Sequence, residues 1–427
     1  MTYEESLDYL YGLQKVGIKL GLDNVRALLR WMGNPQEAFP AIHVAGTNGK
    51  GSTCSFMASI LQEAGYRTGL YTSPHLVRFN ERIRVNGTAI PDEYLAAQAA
   101  RIRPFIEERN MTFFEATTAI AFQYFADEGV EIAVIETGLG GRLDATNILD
   151  PELSVITPLS LEHTEYLGNT IEEIAREKGG IIKPGKPLVM SDQPATAMDE
   201  LFVIAQERGS PYRTAPNPEA IALRDIDRMK FVLSYGGDSL DVESPLIGVY
   251  QAQNAQTAAT ALEMLDRDRF RIGAAHIRTG IRNVRRNTGI NGRLIRISAN
   301  PELVFDTAHN PAGVSALLEL WTALREPGKT HILMGFLKTK DVRTIAAAVL
   351  THRWASIGVT RGTSPEFRSP NELKAQFQSS ETVVAHEDAA AALETLRTAI
   401  APDESILVFG SHYLIGEFLA RSEIERK

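Results

Sequence analysis

Cysteine is nearly absent. The 427-residue chain holds a single one, Cys54, so no intramolecular disulfide can form and a reducing compartment suits it. Cys54 is expected to pack as a small apolar side chain in a helix. Long hydrophobic runs are missing too; none approaches the roughly 20 residues that span a bilayer. The first residues, Met1-Thr2-Tyr3-Glu4-Glu5-Ser6, are acidic and no basic–apolar leader follows. These absences predict a soluble, cytoplasmic protein. Basic charge is in deficit, with 53 acidic against 44 basic residues and a formal net charge of −9. That argues against broad binding along a nucleic-acid backbone but leaves room for a local basic pocket. Repeats and low-complexity tracts are also lacking. What is present is an ordinary 44% of hydrophobic residues, in a length that suggests two or three domains.

The chain is organised around Ile42-His43-Val44-Ala45-Gly46-Thr47-Asn48-Gly49-Lys50-Gly51-Ser52-Thr53. Apolar, β-branched residues suit a buried strand. A turn with three glycines and a lysine follows. Phe56, Met57, Ile60 and Leu61 then repeat at helical spacing. Strand, glycine turn and helix form the layout of a phosphate-binding loop: glycines let backbone N–H groups approach an anion, and the helix start adds partial positive charge. Lys50 can reach outer phosphates, and a hydroxyl of Ser52 or Thr53 can meet Mg²⁺. The general pattern G-x-x-x-x-G-K-[ST] is not matched strictly. Val44 replaces the first glycine, and Gly51 delays the hydroxyl by one residue. The plain alternative is a glycine-rich turn with no ligand.

The rest alternates strands and helices. Residues 3–32 read as helical, interrupted at Gly17 and Gly21, with Leu20-Gly21-Leu22 either a ligand-facing loop or a helix–helix turn. Strands are expected at 68–72, 132–135 and 153–157, and helices at 91–108 and 114–127. Ser73, Glu136 and His163 are each placed at a strand end, where open α/β sheets take ligands. Glu136 suits Mg²⁺; its alternative is a salt bridge to Arg142. Thr170 and Glu173 form a capping box for a helix reaching Lys178. Residues 186–245 are read as alternating short strands and helices. A helix at 251–265 carries Gln251 and Asn254. The basic stretch 283–293 reads as a linker with a boundary near 286. Beyond it strands are expected at 303–305, 331–334, 356–359, 382–385 and 405–409. Asp306 and His309 stand at the end of the first, and Asn310-Pro311 can start a helix.

Taken together these residues resemble the folylpolyglutamate synthase / dihydrofolate synthase family of the Mur ligase superfamily. The resemblance rests on Gly46-Thr47-Asn48-Gly49-Lys50-Gly51-Ser52, Thr72-Ser73-Pro74-His75-Leu76, Glu81-Arg82-Ile83 and Phe113-Phe114-Glu115. It continues through the run from Glu136 to Asn147, His163-Thr164, Glu177-Lys178, Gln251 to Ala255, Gly292-Arg293, Asp306 to Pro311 and Gly410-Ser411. It implies an α/β fold with an N-terminal P-loop NTPase-like ATPase domain, mainly parallel, over 1–285. A smaller C-terminal Rossmann-like glutamate ligase domain would occupy 286–427. It implies ATP-dependent addition of L-glutamate to 7,8-dihydropteroate, to the glutamate tail of folate, or to both, through an acyl phosphate. ATP would be held by Gly46 to Ser52, Asn254, Arg293 and Asp306, with His309 near the γ-phosphate. Two Mg²⁺ ions would involve Ser73, Glu136, His163 and Lys178, the lysine carbamylated. Lys50, Lys178 and His309 would be catalytic. The pterin-bearing substrate would lie on Leu20, Gly21, Leu22, Thr112, Phe113, Phe114, Glu115, Leu143, Asp144 and Ala145. Partners would be these small molecules only, with no nucleic acid and no membrane, and the chain would act as a monomer. Glu162, Tyr250 and the residue before Gly292 depart from the family's usual Asp, His and Pro.

Two other readings stand beside this one. A cell-wall amino-acid ligase of the same superfamily usually carries a further domain before the loop, and only 45 residues precede Gly46 here. An ATP-gated switch that makes no amide would need the loop without Ser73, Glu136, His163 and Lys178 together.

Overall fold

A computed structural model describes residues 1–424 apart from 18, 20 and 378–382. The chain divides into two compact units. The first comprises Met1–Ile221, Lys230–Pro245 and Gln251–Ile290; the second comprises Ala222–Met229, Leu246–Tyr250 and Asn291–Lys427.

The first unit is built on an eight-stranded sheet. Its strands are β1 (Ala41–Ala45), β2 (Thr68–Tyr71), β3 (Ile83–Val85), β4 (Thr88–Ala89), β5 (Ile132–Glu136), β6 (Leu153–Ile156), β7 (Leu188–Met190) and β8 (Tyr212–Thr214). The order is β4-β3-β2-β5-β1-β6-β7-β8, parallel except for the antiparallel pairs β2–β3 and β3–β4. Every residue of β1, β2, β5 and β6 is buried, which is why these strands are mostly apolar in sequence. Central β1 leads into the helix Lys50–Glu63, of which ten consecutive residues, Ser52 to Leu61, are buried. Cys54 is among them, as its neighbours in sequence suggested. The helix Ala274–Arg282 packs so closely on it that a Cβ on Gly280 would stand 2.5 Å from the Ile60 Cα.

Three sequence expectations are corrected. Residues 186–245 do not keep alternating: after β8 come β9 (Glu219–Asp225), β10 (Arg228–Tyr235) and β11 (Asp238–Ser244), forming a three-stranded sheet. Two-residue turns join them, so no helix fits between. The boundary near 286 falls inside a short helix, Val284–Thr288, whose Val284 and Thr288 are buried. The second unit resumes at Asn291 instead. His163 is not at the end of β6; it lies on the turn leading into the helix Thr164–Leu167, exposed and with φ of 52°.

The second unit carries a six-stranded sheet of β12 (Ile295–Ala299), β13 (Glu302–Phe305), β14 (Thr330–Met334), β15 (Ser356–Val359), β16 (Val383–Ala385) and β17 (Ser405–Phe409). The order is β12-β13-β17-β14-β15-β16, parallel apart from the edge pair β12–β13. Asn310 caps the helix Pro311–Leu324 by accepting from the Gly313 N–H at 2.8 Å, with proline at the first position as expected. Asp225, Arg296, Glu302 and Arg325 form an ion network in this unit. Arg325 Nε lies 2.6 Å from Glu302, and both arginines lie 2.9 Å from Asp225.

Candidate active site

The turn after β1 is shaped by two glycines. Gly46 has φ of +153°, and a Cβ there would stand 1.8 Å from Thr157 Oγ1. Gly49 has φ of +86°, and a Cβ there would stand 2.3 Å from Asn254 Oδ1. Asn254 therefore lies directly against the turn. The Thr47 and Asn48 N–H groups are tied to the Pro158 carbonyl at 3.1 and 3.2 Å. No side chain caps the helix that starts at Lys50, which leaves its first N–H groups available to an anion.

Two lysines converge on one carbonyl. Lys50 Nζ donates to Gly46 O at 3.1 Å and to Thr47 O at 3.1 Å. Lys178 Nζ, on the helix Ile171–Gly179, donates to the same Gly46 O at 2.7 Å. Lys178 is buried, not the exposed helix-end lysine that spacing alone allowed. Burial first, and the Lys50 charge second, push its pKa down to about 7, while Glu162 and Asp144 act the other way.

Glu136 ends β5, beside β1, and is buried. Its Oε2 accepts the Ser73 N–H at 3.1 Å, which brings these two predicted metal residues together. The Arg142 alternative does not occur: Arg142 pairs with Glu177 at 2.8 Å. Among the described residues, no group of three or more His, Cys, Asp and Glu could hold a metal by itself. The donors nevertheless fit Mg²⁺, which takes one or two carboxylates plus waters and phosphate oxygens rather than a protein cage.

The expected acceptor segments also meet. Thr112 caps the helix Phe113–Asp127, and Glu115 Oε2 accepts from the Thr112 N–H and hydroxyl at 2.7 and 2.8 Å. Glu115 is thereby engaged in its own capping box. The Phe114 ring covers Gly138, where a Cβ would stand 2.4 Å from it. Gly138 opens the loop that carries Leu143, Asp144 and Ala145. Asp144 is buried and bonds to the Gly138 and Leu139 N–H groups. Gly21 and Leu22 precede the helix Asp23–Trp31; Leu20 lies outside the described residues.

Sequence reading noted His75 and Arg82 without giving them a role. His75 sits between Tyr11 OH (3.2 Å from Nε2) and Arg82 Nε (2.8 Å from Nδ1), and Arg82 lies over Phe113 at 5.3 Å. Burial, with the Arg82 charge, holds the His75 pKa down to about 3. Their place in Ser73-Pro74-His75 and Glu81-Arg82 was the available signal.

In the second unit, Asp306 follows β13 and is buried. Its oxygens accept from the Leu294 N–H at 2.8 Å and the Ala308 N–H at 2.7 Å, and burial raises its pKa. Arg293 bonds to Thr307 Oγ1 and, at 3.1 Å, to Gly292 O. His309 Nδ1 lies 2.9 Å from Thr307 O, and its ring meets that of His412 at 5.2 Å.

A phosphate-type loop, a buried acid at the next strand end and a second α/β unit define an ATP-using enzyme of the Mur ligase class. Residues 44–262 match the Mur ligase middle domain, and residues 292–412 match the Mur ligase glutamate ligase domain. The dihydrofolate synthase/folylpolyglutamate synthase of Bacillus subtilis is 33% identical over 439 residues, covering 98% of this chain and 99% of that protein. A probable bifunctional folylpolyglutamate synthase/dihydropteroate synthase of Haloferax volcanii is 36% identical over 98% of the chain, which spans 50% of that longer protein. Folylpolyglutamate synthase of Mycobacterium tuberculosis, solved with ADP and AMPPCP, superposes with a TM-score of 0.86 at 30% identity, over 100% of this chain and 99% of that one. Escherichia coli FolC in complex with DHPP and ADP gives 0.84 at 29% identity, over 99% and 98%. The chain belongs to the folylpolyglutamate synthase / dihydrofolate synthase family of ATP-dependent glutamate ligases.

Among the described residues no helix is long and apolar enough to cross a membrane.

Proposed function

We propose that this chain, a cytoplasmic monomer, adds L-glutamate both to 7,8-dihydropteroate and to the glutamate tail of folate. The observation that carries the reading is the pair of lysines meeting at Gly46 O beside an uncapped helix start. The acceptor carboxylate attacks the γ-phosphorus of ATP, forming an acyl phosphate and ADP. The glutamate amine then attacks the acyl carbon, loses a proton, and inorganic phosphate leaves. The first step brings two anions together, so cationic groups must be in place beforehand. Lys50 and the N–H groups from Gly49 to Ser52 supply them, after Lys50 exchanges loop carbonyls for phosphate oxygens. Gly46, Thr47, Asn254, Arg293 and Asp306 are assigned to the nucleotide, and His309 to its γ-phosphate.

Glu136 and Ser73 would hold Mg²⁺, with His163 at a second ion. The metal would supply charge neutralisation at the phosphate oxygens. Lys178 is proposed to be carbamylated: its neutral amine bonds to the carbon of CO₂ and releases a proton, turning a cation into an anion. Its low pKa supports this, because a neutral amine is accessible near pH 7. The acceptor's ring is assigned to Gly21, Leu22, Phe113, Phe114 and Leu143 to Ala145.

The test is purified protein with ATP, Mg²⁺ and labelled glutamate, offering dihydropteroate or tetrahydrofolate in turn. Label should enter both products. Phosphate release indifferent to both acceptor and glutamate would count against ligation. Glu136→Gln should raise the Mg²⁺ needed for half-maximal rate by about tenfold or more.

A further inference from the structure

His43 is the one polar side chain in the fully buried strand β1, and it is 0% exposed. Its Nε2 lies 2.8 Å from Thr146 Oγ1. Thr146 Oγ1 in turn lies 2.5 Å from Asp144 Oδ1. Asp144 Oδ1 also accepts the Thr146 N–H at 3.0 Å, and Oδ2 accepts the Gly138 and Leu139 N–H groups at 2.9 and 2.8 Å. Three backbone N–H groups thus point at the two oxygens of this carboxylate and work against the burial that raises its pKa. With the carboxylate ionised, the single Thr146 hydroxyl hydrogen points to Asp144. Thr146 Oγ1 then accepts from His43, which fixes the imidazole as neutral with its hydrogen on Nε2. The other nitrogen, Nδ1, is buried with no hydrogen-bond partner among the described residues, which suits a bare lone pair better than a second N–H.

An apolar β-branched residue would fill this strand position without leaving a polar atom unpaired. The histidine's contribution is thus directional. It clamps Thr146, which with Asp144 ties both ends of the glycine loop, Gly138-Leu139 and Asp144-Thr146, to the floor of the sheet. We propose that His43 is a positioning residue for the acceptor: acting through Thr146 and Asp144, it holds the 138–146 loop in the shape that receives the acceptor substrate. This rests on the assignment of that loop to the acceptor, and it adds a residue that touches no substrate.

The experiment compares His43→Leu and Thr146→Val with the conservative His43→Gln and Thr146→Ser. Two readouts are taken well below the melting temperature. Hydrogen exchange of the peptide spanning 137–147 should quicken about tenfold in the first pair, with the β5 amides unaffected, and return toward wild type in the second. In glutamate addition, the acceptor KM should rise about tenfold, with kcat and the ATP KM changing less than about twofold. A purely packing role would lower the melting temperature and leave that KM split flat. Unchanged exchange overturns the relay. Faster exchange with an unchanged acceptor KM overturns instead the assignment of the loop to the acceptor.

Discussion

The turn after β1 and the loop after β5 leave neighbouring strands of one sheet, yet they are held in opposite ways. In the first, two lysine Nζ groups crowd one carbonyl and a helix start goes uncapped. Its donors outnumber its acceptors until an anion arrives. In the second, one buried carboxylate accepts four donors from its own loop, so that loop is complete without a ligand. The difference separates a site that is finished by its substrate from a scaffold that is preorganised to shape one.

The largest test of this contrast is Lys50→Ala. Removing a transition-state cation should lower kcat/KM by about 10²–10³-fold, while the melting temperature stays nearly unchanged, because Lys50 bonds only to loop carbonyls. A melting temperature that collapsed would show the turn to be as self-contained as its neighbour. Asp144→Asn should do the reverse. An amide N–H₂ facing N–H groups leaves buried donors unpaired, at a cost of about 1–3 kcal/mol, read as a lower unfolding midpoint. An unaltered midpoint would mean that the second loop does not depend on its carboxylate.

The last test is of pH, whose effect is small near neutrality and grows only in acid. His43 and His75 are held near pKa 3 in the fold, below their ordinary value of 6.5. The unfolded chain therefore binds protons that the fold does not as pH drops from 6.5 to 3. Stability is full above 6.5 and falls through this window, by up to about 1.4 kcal/mol per pH unit for each histidine. Denaturant melts of His43→Gln should show a shallower acid limb than wild type. Identical limbs would place the protonation of His43 outside the unfolding reaction.

Much of this was legible because it is local. The strands at 132–136 and 405–409 are buried on both faces, so their centres, Ile132 to Ile135 and Ile406 to Phe409, read as apolar runs. The Gly236-Gly237 pair between β10 and β11 was a readable hairpin signal that the alternating reading passed over. Strand β12 escaped because an edge strand shows no continuous apolar run. The turn from Gly46 to Lys50 and the capping boxes at Thr112–Glu115 and Thr170–Glu173 were determined by the sequence itself, since φ above zero and helix caps are demands on adjacent residues. Only the tertiary structure decided that Lys178 would be buried against a carbonyl 132 positions away, or that His43 would reach Thr146 across 103. Neither pairing leaves a local trace. The burial that shifts their protonation exists only once strands distant in sequence have closed into one sheet.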